Sequence, residues 1–206
     1  MRIAAQEFEA IVTTMRRTAA LLRDADIQFA LGGSMATWAR GGPETCNDVD
    51  FLVSPTDAER AQHALTAAGL GAERPPEGWL LKAYDGDVLV DLVFETASGD
   101  PTDDLIARAP ELRVASVDLR VARLEDVLVT KLWSFDEHTL DFAGLLQIAR
   151  ALREQIDWVE VAERVHASPY ARAFMFLLEG LGIADPLSAP ANPPSAPEAP
   201  ARPDRS

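Results

Sequence analysis

Apolar positions at the start of the chain recur with helical spacing. Phe8, Ile11, Val12, Met15, Ala19 and Leu22 fall on one face, which predicts an amphipathic helix over residues 6–23. A short apolar run within 27–31 predicts a buried strand leading into Gly32-Gly33. Ser34 then opens a short helix to about Arg40, which Gly41-Gly42-Pro43 ends. Residues 48–53, DVDFLV, predict a second strand. Ser54-Pro55 supplies a cap followed by proline, so a helix is expected from there to Gly69-Leu70-Gly71. Two more apolar runs, 79–84 and 87–94, flank Asp85-Gly86 and predict a hairpin. One further strand is expected within 111–121. Beyond it the spacing is wholly helical, with helices near 123–135, 139–155, 158–166 and 169–181. Asp157-x-x-Glu160 resembles a capping box, and Ser168-Pro169 repeats the cap-plus-proline start.

Composition narrows the class. A chain of 206 residues suffices for one domain, or for a domain with a small appended one. At 48% hydrophobic and 25% charged it reads as an ordinary soluble globular protein. No apolar run approaches the length of a membrane span, and acids interrupt the first residues, MRIAAQEFEAIVTT, so neither a membrane segment nor a signal peptide is expected. The single cysteine, Cys46, excludes an intramolecular disulfide and suits a cytoplasmic location. A net charge of −14 argues against broad binding to nucleic acid but leaves room for a local basic groove. Half of the 14 prolines fall from about Asp185 onward, among Ala and Ser, and residues 185–206 are expected to form a disordered tail. No internal repeat is evident.

The chemistry concentrates in three places. Gly32-Gly33-Ser34 is followed, after a spacer, by Asp48-Val49-Asp50. Residues two apart on a strand share one side, roughly 7 Å from each other, so both carboxylates can reach one cation or two neighbouring ones. Asp91 interrupts the apolar run Val88-Leu89-Val90 and Leu92-Val93-Phe94. An acid there costs several kcal/mol to desolvate unless it is paired or bound to metal. Three such acids repel one another unless cations lie between them, and an all-oxygen donor set suits Mg²⁺ or Mn²⁺. Singly, each feature has a plain structural explanation: a solvated strand edge, a hydrogen-bonded aspartate, a turn. Their conjunction in this order favours a site. Gly32 and Gly33 let backbone approach a phosphate, a helix start favours an anion, and Ser34 Oγ adds a donor.

These residues resemble the DNA-polymerase-β-type nucleotidyltransferase superfamily, whose signature is a Gly-Gly/Ser turn, a D-x-D and a third acid on a following strand. The motif covers roughly residues 25–95. The helical half, through LEDVLVTKLWSFDEHTLDFAGLLQIARALREQIDW, is similar to small stand-alone bacterial nucleotidyltransferases related to abortive-infection toxins. The spacer before Asp48 is long for the superfamily. The resemblance implies an α+β fold: an α/β core with a mixed β-sheet over residues 1–122, and a helical C-terminal part over 123–184. It also implies two metals held by Asp48 and Asp50. Asp91 would position one of them and act as base, while pyrophosphate leaves a nucleoside triphosphate.

Lys131 falls on the apolar stripe of its helix with Leu124, Val127, Leu128 and Leu132, and Asp141 lies one turn before Leu145 on the face of the next helix. Two readings stand: a salt bridge between helices, or Lys131 on the triphosphate with Asp141 orienting it. Asn47, with Thr45 and Cys46, either orients a metal ligand or shapes the loop. Arg40 and Trp38 read by default as surface and core, and the three histidines show no zinc spacing. Arg150, Arg153, Arg164 and Arg172 read as solvated helix surface ahead of a basic face for RNA. The acceptor is expected to be either an RNA or tRNA end or a small hydroxylated molecule, with a cognate regulatory protein as a further partner. A nucleotide-binding or toxin-neutralising module without turnover is the competing class, which the full set of three acids disfavours. A glycosyltransferase leaves Gly-Gly-Ser without a role.

Overall fold

The N-terminal amphipathic face is realised as α1 (Arg2–Asp24), with Ile11, Met15 and Leu22 buried. The computed structural model describes residues 2–44, 48–76 and 78–185. The expected tail, apart from Asp185, and Thr45, Cys46 and Asn47 lie outside the described residues.

After α1 come β1 (Phe29–Leu31), α2 (Gly33–Trp38), β2 (Asp48–Val53), α3 (Ala58–Ala67), β3 (Gly71–Glu73), β4 (Leu80–Asp85) and β5 (Val88–Val93). The five strands form one mixed sheet in the order β1-β2-β5-β4-β3. Only the central pair, β2 and β5, runs parallel. The register aligns Asp50 with Asp91, Asp91 with Lys82, and Lys82 with Glu73. The Gly32 N–H donates to the Asp50 carbonyl at 2.8 Å and carries the row past the end of β1. Strand alternation puts Val49, Phe51, Val53, Val90, Leu92, Leu81 and Ala83 on the other face. All are buried there, where α1 and α3 pack. Thr14 and Arg17 of α1 hydrogen-bond the Asp85 carboxylate on that face.

Several expected elements differ in extent. The helix after Ser54-Pro55 starts only at Ala58, because Ser54–Asp57 close a turn (Asp57 N–H to the Ser54 carbonyl, 3.0 Å). Glycine does not simply stop the chain after that helix. Residues from Gly71 form β3, an exposed edge strand on β4. The β4–β5 turn is Gly86-Asp87 rather than Asp85-Gly86: Asp85 pairs with Val88, and Gly86 takes a positive φ of 63°.

Beyond β5 lie α4 (Thr102–Arg108), which the sequence pattern did not suggest, then β6 (Glu111–Val114) and β7 (Val117–Arg120). These last two replace the single strand expected in 111–121. Ala115 and Ser116 both adopt positive φ (46° and 70°) and turn the chain into a separate two-stranded ribbon. The chain returns beside the main sheet where the Ala122 N–H donates to the Leu31 carbonyl at 2.9 Å.

The helical part comprises α5 (Leu124–Trp133), α6 (Ala143–Leu152) with a 3₁₀ turn at Arg153–Gln155, α7 (Trp158–Val165) and α8 (Pro169–Gly180). The second of these begins later than 139: Phe142 is its N-cap, and just ahead of it Asp141 Oδ1 accepts from the Ala143 N–H at 2.8 Å. Asp157 caps α7 through the Val159 and Glu160 N–H groups, and Ser168 caps α8. The reciprocal half of the capping box is made by a different residue. The Asp157 N–H donates to Glu125 Oε1 at 3.0 Å, which leaves Glu160 for arginines. Buried apolar side chains form two clusters, one around the sheet and one among α5–α8. Helix α5 belongs to both: Val127 packs in the first, Leu124 and Leu128 in the second. Among the described residues no helix is long and apolar enough to cross a membrane.

Candidate functional site

Strand alternation and the parallel β2–β5 pairing bring Asp48, Asp50 and Asp91 to one side of the sheet, with one carboxylate oxygen of each within 4.8 Å of the others. Asp91 is 8% exposed, and Asp48 and Asp50 are half-buried. Among the described residues this is the one cluster of three side chains able to hold a metal. The Asp50 carboxyl is pushed up to about 7, first by burial, then by the charge of Asp48 and to a lesser extent that of Asp91. The ammonium of Lys131 works in the opposite direction. Such a group binds a proton near neutrality unless another cation takes its place.

Gly33 serves this cluster directly. It opens α2 at a positive φ of 50°, and a Cβ there would stand 1.6 Å from Asp50 Oδ2. Gly32 is less demanding, since a Cβ would meet the Asp50 Cβ at 3.5 Å, an ordinary contact. Gly33 alone of the pair is therefore required by the Asp50 carboxylate. Ser34 is half-buried, and its carbonyl accepts from Thr37 Oγ1 at 2.8 Å.

Two cavities meet at Lys131 and Ser134, and the larger of them reaches Asp50. The larger, about 600 Å³, lies between the sheet and α5. Gly32, Gly33, Asp50 and Leu52 line it on one side, Lys131 and Asp126 on another, and Trp79, Glu95 and Thr96 at its outer wall. The smaller, about 450 Å³, lies between α2 and α6 and takes its lining from Ser34, Thr37, Phe135, Asp141 and Gln147. Lys131 and Ser134 line both. Lys131 forms no ion pair among the described residues, with Asp141 or any other acid. Asp141 is exposed and spends Oδ1 on its helix cap. The interhelical salt bridge is thus not made, although both side chains border the smaller cavity. Asn47 falls outside the described residues.

Other candidates take structural places. Arg40 donates to the Ala36 and Val121 carbonyls, and Trp38 packs edge-on to Phe8 with ring centroids 5.0 Å apart. Arg164 is no solvated surface residue. It bonds Asp126 (2.7 Å), Asp100 (2.9 Å) and Glu160 (3.1 Å), while Arg108 forks onto Asp126 and Arg123 bridges Glu160 and Glu125. Sequence pattern missed this network, because Glu125 and Asp126 look like solvated acids in the first turn of a helix, yet both are buried. It missed Trp79 and Glu95 too. Trp79 is 42% exposed, and its carbonyl accepts from the Phe94 and Glu95 N–H groups, each at 3.2 Å.

Residues 3–181 match the family described as "Uncharacterised nucleotidyltransferase". Among solved structures, the chain is similar to ANT(2'')-Ia in complex with adenylyl-2''-tobramycin, with a TM-score of 0.56 at 17% identity over 81% of this chain and 97% of that one. It is also similar to the solution structure of the antibiotic-resistance factor ANT(2'')-Ia, with a TM-score of 0.55 at 16% identity over 83% and 94%. At such identities the likeness is one of fold. No curated protein matches the sequence.

Proposed function

The chain belongs to the nucleotidyltransferase family just described, and from that premise we propose that it moves a nucleoside monophosphate from a nucleoside triphosphate to an acceptor hydroxyl at Asp48, Asp50 and Asp91. The observation that carries this reading is the convergence of three carboxylate oxygens within 4.8 Å, with Asp50 raised to about 7. A cluster that crowded is short of positive charge, and its all-oxygen donors fit Mg²⁺ or Mn²⁺. Held by these three residues, divalent metal would supply Lewis-acid stabilisation of the charge that develops on the transferring phosphoryl group.

The chain's own side chains do the rest. Lys131 places a point charge for triphosphate oxygens at the partition between the two cavities. Ser34 offers a hydroxyl from the smaller cavity, and Gly33 leaves Asp50 room to face the substrate. Asp91 accepts the proton of the acceptor hydroxyl as the new O–P bond to the α-phosphorus forms and the bond to pyrophosphate breaks.

The test is transfer of α-labelled nucleotide, each of the four triphosphates in turn with Mg²⁺ or Mn²⁺, into a cell extract split into RNA, protein and small-molecule fractions. Label that requires metal and is lost in Asp48→Ala and Asp91→Ala, both still folded, is the expected result. Full activity in either variant overturns the site.

A further inference from the structure

The two cavities differ in what they can hold. The smaller is lined by Ser34, by Gln147 of α6 and by Lys131, its one cation among the described residues, together with the acids Glu44 and Asp141, so a phosphate there would rest on Lys131 and the Ser34 hydroxyl. The larger takes its charged lining from Asp50, Glu95, Asp126 and Lys131 and carries Trp79 as well. Leu52, Val93, Leu105 and Val127 give it an apolar wall. Glu95 is exposed and makes no ion pair among the described residues, and Trp79 has no aromatic partner there. Their backbones meet where the Glu95 N–H donates to the Trp79 carbonyl, and both residues line the same cavity. A carboxylate and an indole lining one cavity are groups that bind ammonium.

Resting on the function proposed above, we propose that the larger cavity takes the acceptor, and that the acceptor is a small hydroxylated amine held by Trp79 and Glu95. Size supports this, since about 600 Å³ matches a small organic molecule and encloses only a terminal fragment of a polynucleotide. Charge supports it as well. A nucleic-acid acceptor needs a basic track, whereas Arg108, Arg123 and Arg164 near the cavity are neutralised by acids and Arg40 by carbonyls, in a chain of net charge −14. Held by its ammonium at the rim, the acceptor points its hydroxyls along the cavity toward the carboxylates.

The experiment supplies amino alcohols and amino sugars, each beside its N-acetylated form, together with single-stranded RNA, and follows transfer from α-labelled triphosphates with Mg²⁺. Calorimetry measures triphosphate binding with the metal in parallel. The expected result is label on the free amines only. Glu95→Gln should raise KM for the amine at least about tenfold and Trp79→Ala about fivefold, while KM for triphosphate stays unchanged and Trp79→Phe retains most of the affinity. Label on RNA, equal label on the acetylated forms, or unchanged KM in both variants overturns the proposal. So does the absence of label on every amine while triphosphate still binds with metal, and in that case the transferase reading survives. If triphosphate does not bind with metal, the transferase reading falls and takes this inference with it.

Discussion

Gly33 and Asp50 share a space that admits one side chain: a Cβ on Gly33 would lie 1.6 Å from the Asp50 carboxylate oxygen and 2.5 Å from its carbon. The turn that opens α2 and the strand that carries the acids are therefore one unit. Gly33→Ala must either push Asp50 aside or move the turn, and its positive φ adds about 1 kcal/mol of strain. The expected outcome is a loss of at least about 100-fold in transfer rate with only a modest fall in stability. Gly32→Ala, whose Cβ meets only ordinary contacts, should be much milder. Equal losses in the two variants, measured by kcat and thermal melting, would refute the pairing.

Asp50 gives a pH dependence of defined sign. Its value of about 7 in the fold lies above the ordinary 3.8, so the fold favours the protonated form. That contribution to stability is complete below about pH 4 and is lost as pH rises through 7. In chelator, the melting temperature should therefore decline across pH 5.5–8, and Asp50→Asn should flatten the decline. Added Mg²⁺ should stabilise the native chain more at pH 8 than at pH 6. A melting temperature in chelator that responds to pH identically in the two proteins would contradict the assignment.

Buried and exposed ion pairs should separate cleanly. The Asp126 side chain is 1% exposed and held by Arg108 at 2.5 Å and Arg164 at 2.7 Å. Asp126→Ala leaves two guanidinium groups short of their anion and is expected to cost about 3–5 kcal/mol in urea denaturation. Arg74→Ala removes a pair with Glu59 whose two side chains are 67% and 68% exposed, and should change stability by less than about 1 kcal/mol.

Lys131 and Asp141 border the same cavity but should behave differently. Lys131→Met is expected to raise KM for triphosphate about tenfold or more, since among the described residues no other lysine or arginine lines either cavity. Asp141→Asn keeps an acceptor for the Ala143 N–H and should leave both kcat and KM within about twofold. Steady-state kinetics of the pair decides whether the acid orients the lysine or only caps its helix.

The acids were legible because strand alternation is a local rule: D-x-D on a strand must share a face, and an acid inside an apolar run needs a reason. Lys131 was legible by the same logic on a helix. Elements whose existence depends on a distant partner were not. β3 is three exposed residues beginning with glycine, and it exists because β4 offers an edge. The β6–β7 turn requires positive φ at Ala115 and Ser116, residue types that rarely adopt it. Glu125 and Asp126 are buried only because arginines from other elements reach them. Trp79 and Glu95 meet the cavity only once β4 and β5 are paired.

The parallel seam between β2 and β5 predicts an order of assembly. The β4–β5 hairpin closes over two residues, whereas pairing β2 with β5 requires the long excursion through α3 and β3 to be gathered in. On that ground Asp50 is expected to meet Asp91 late, so that the mutual repulsion of the carboxylates falls on a nearly finished structure rather than on its nucleus. Substitutions among the acids should then act on the rate of unfolding far more than on the rate of folding, which stopped-flow measurement of both rates checks.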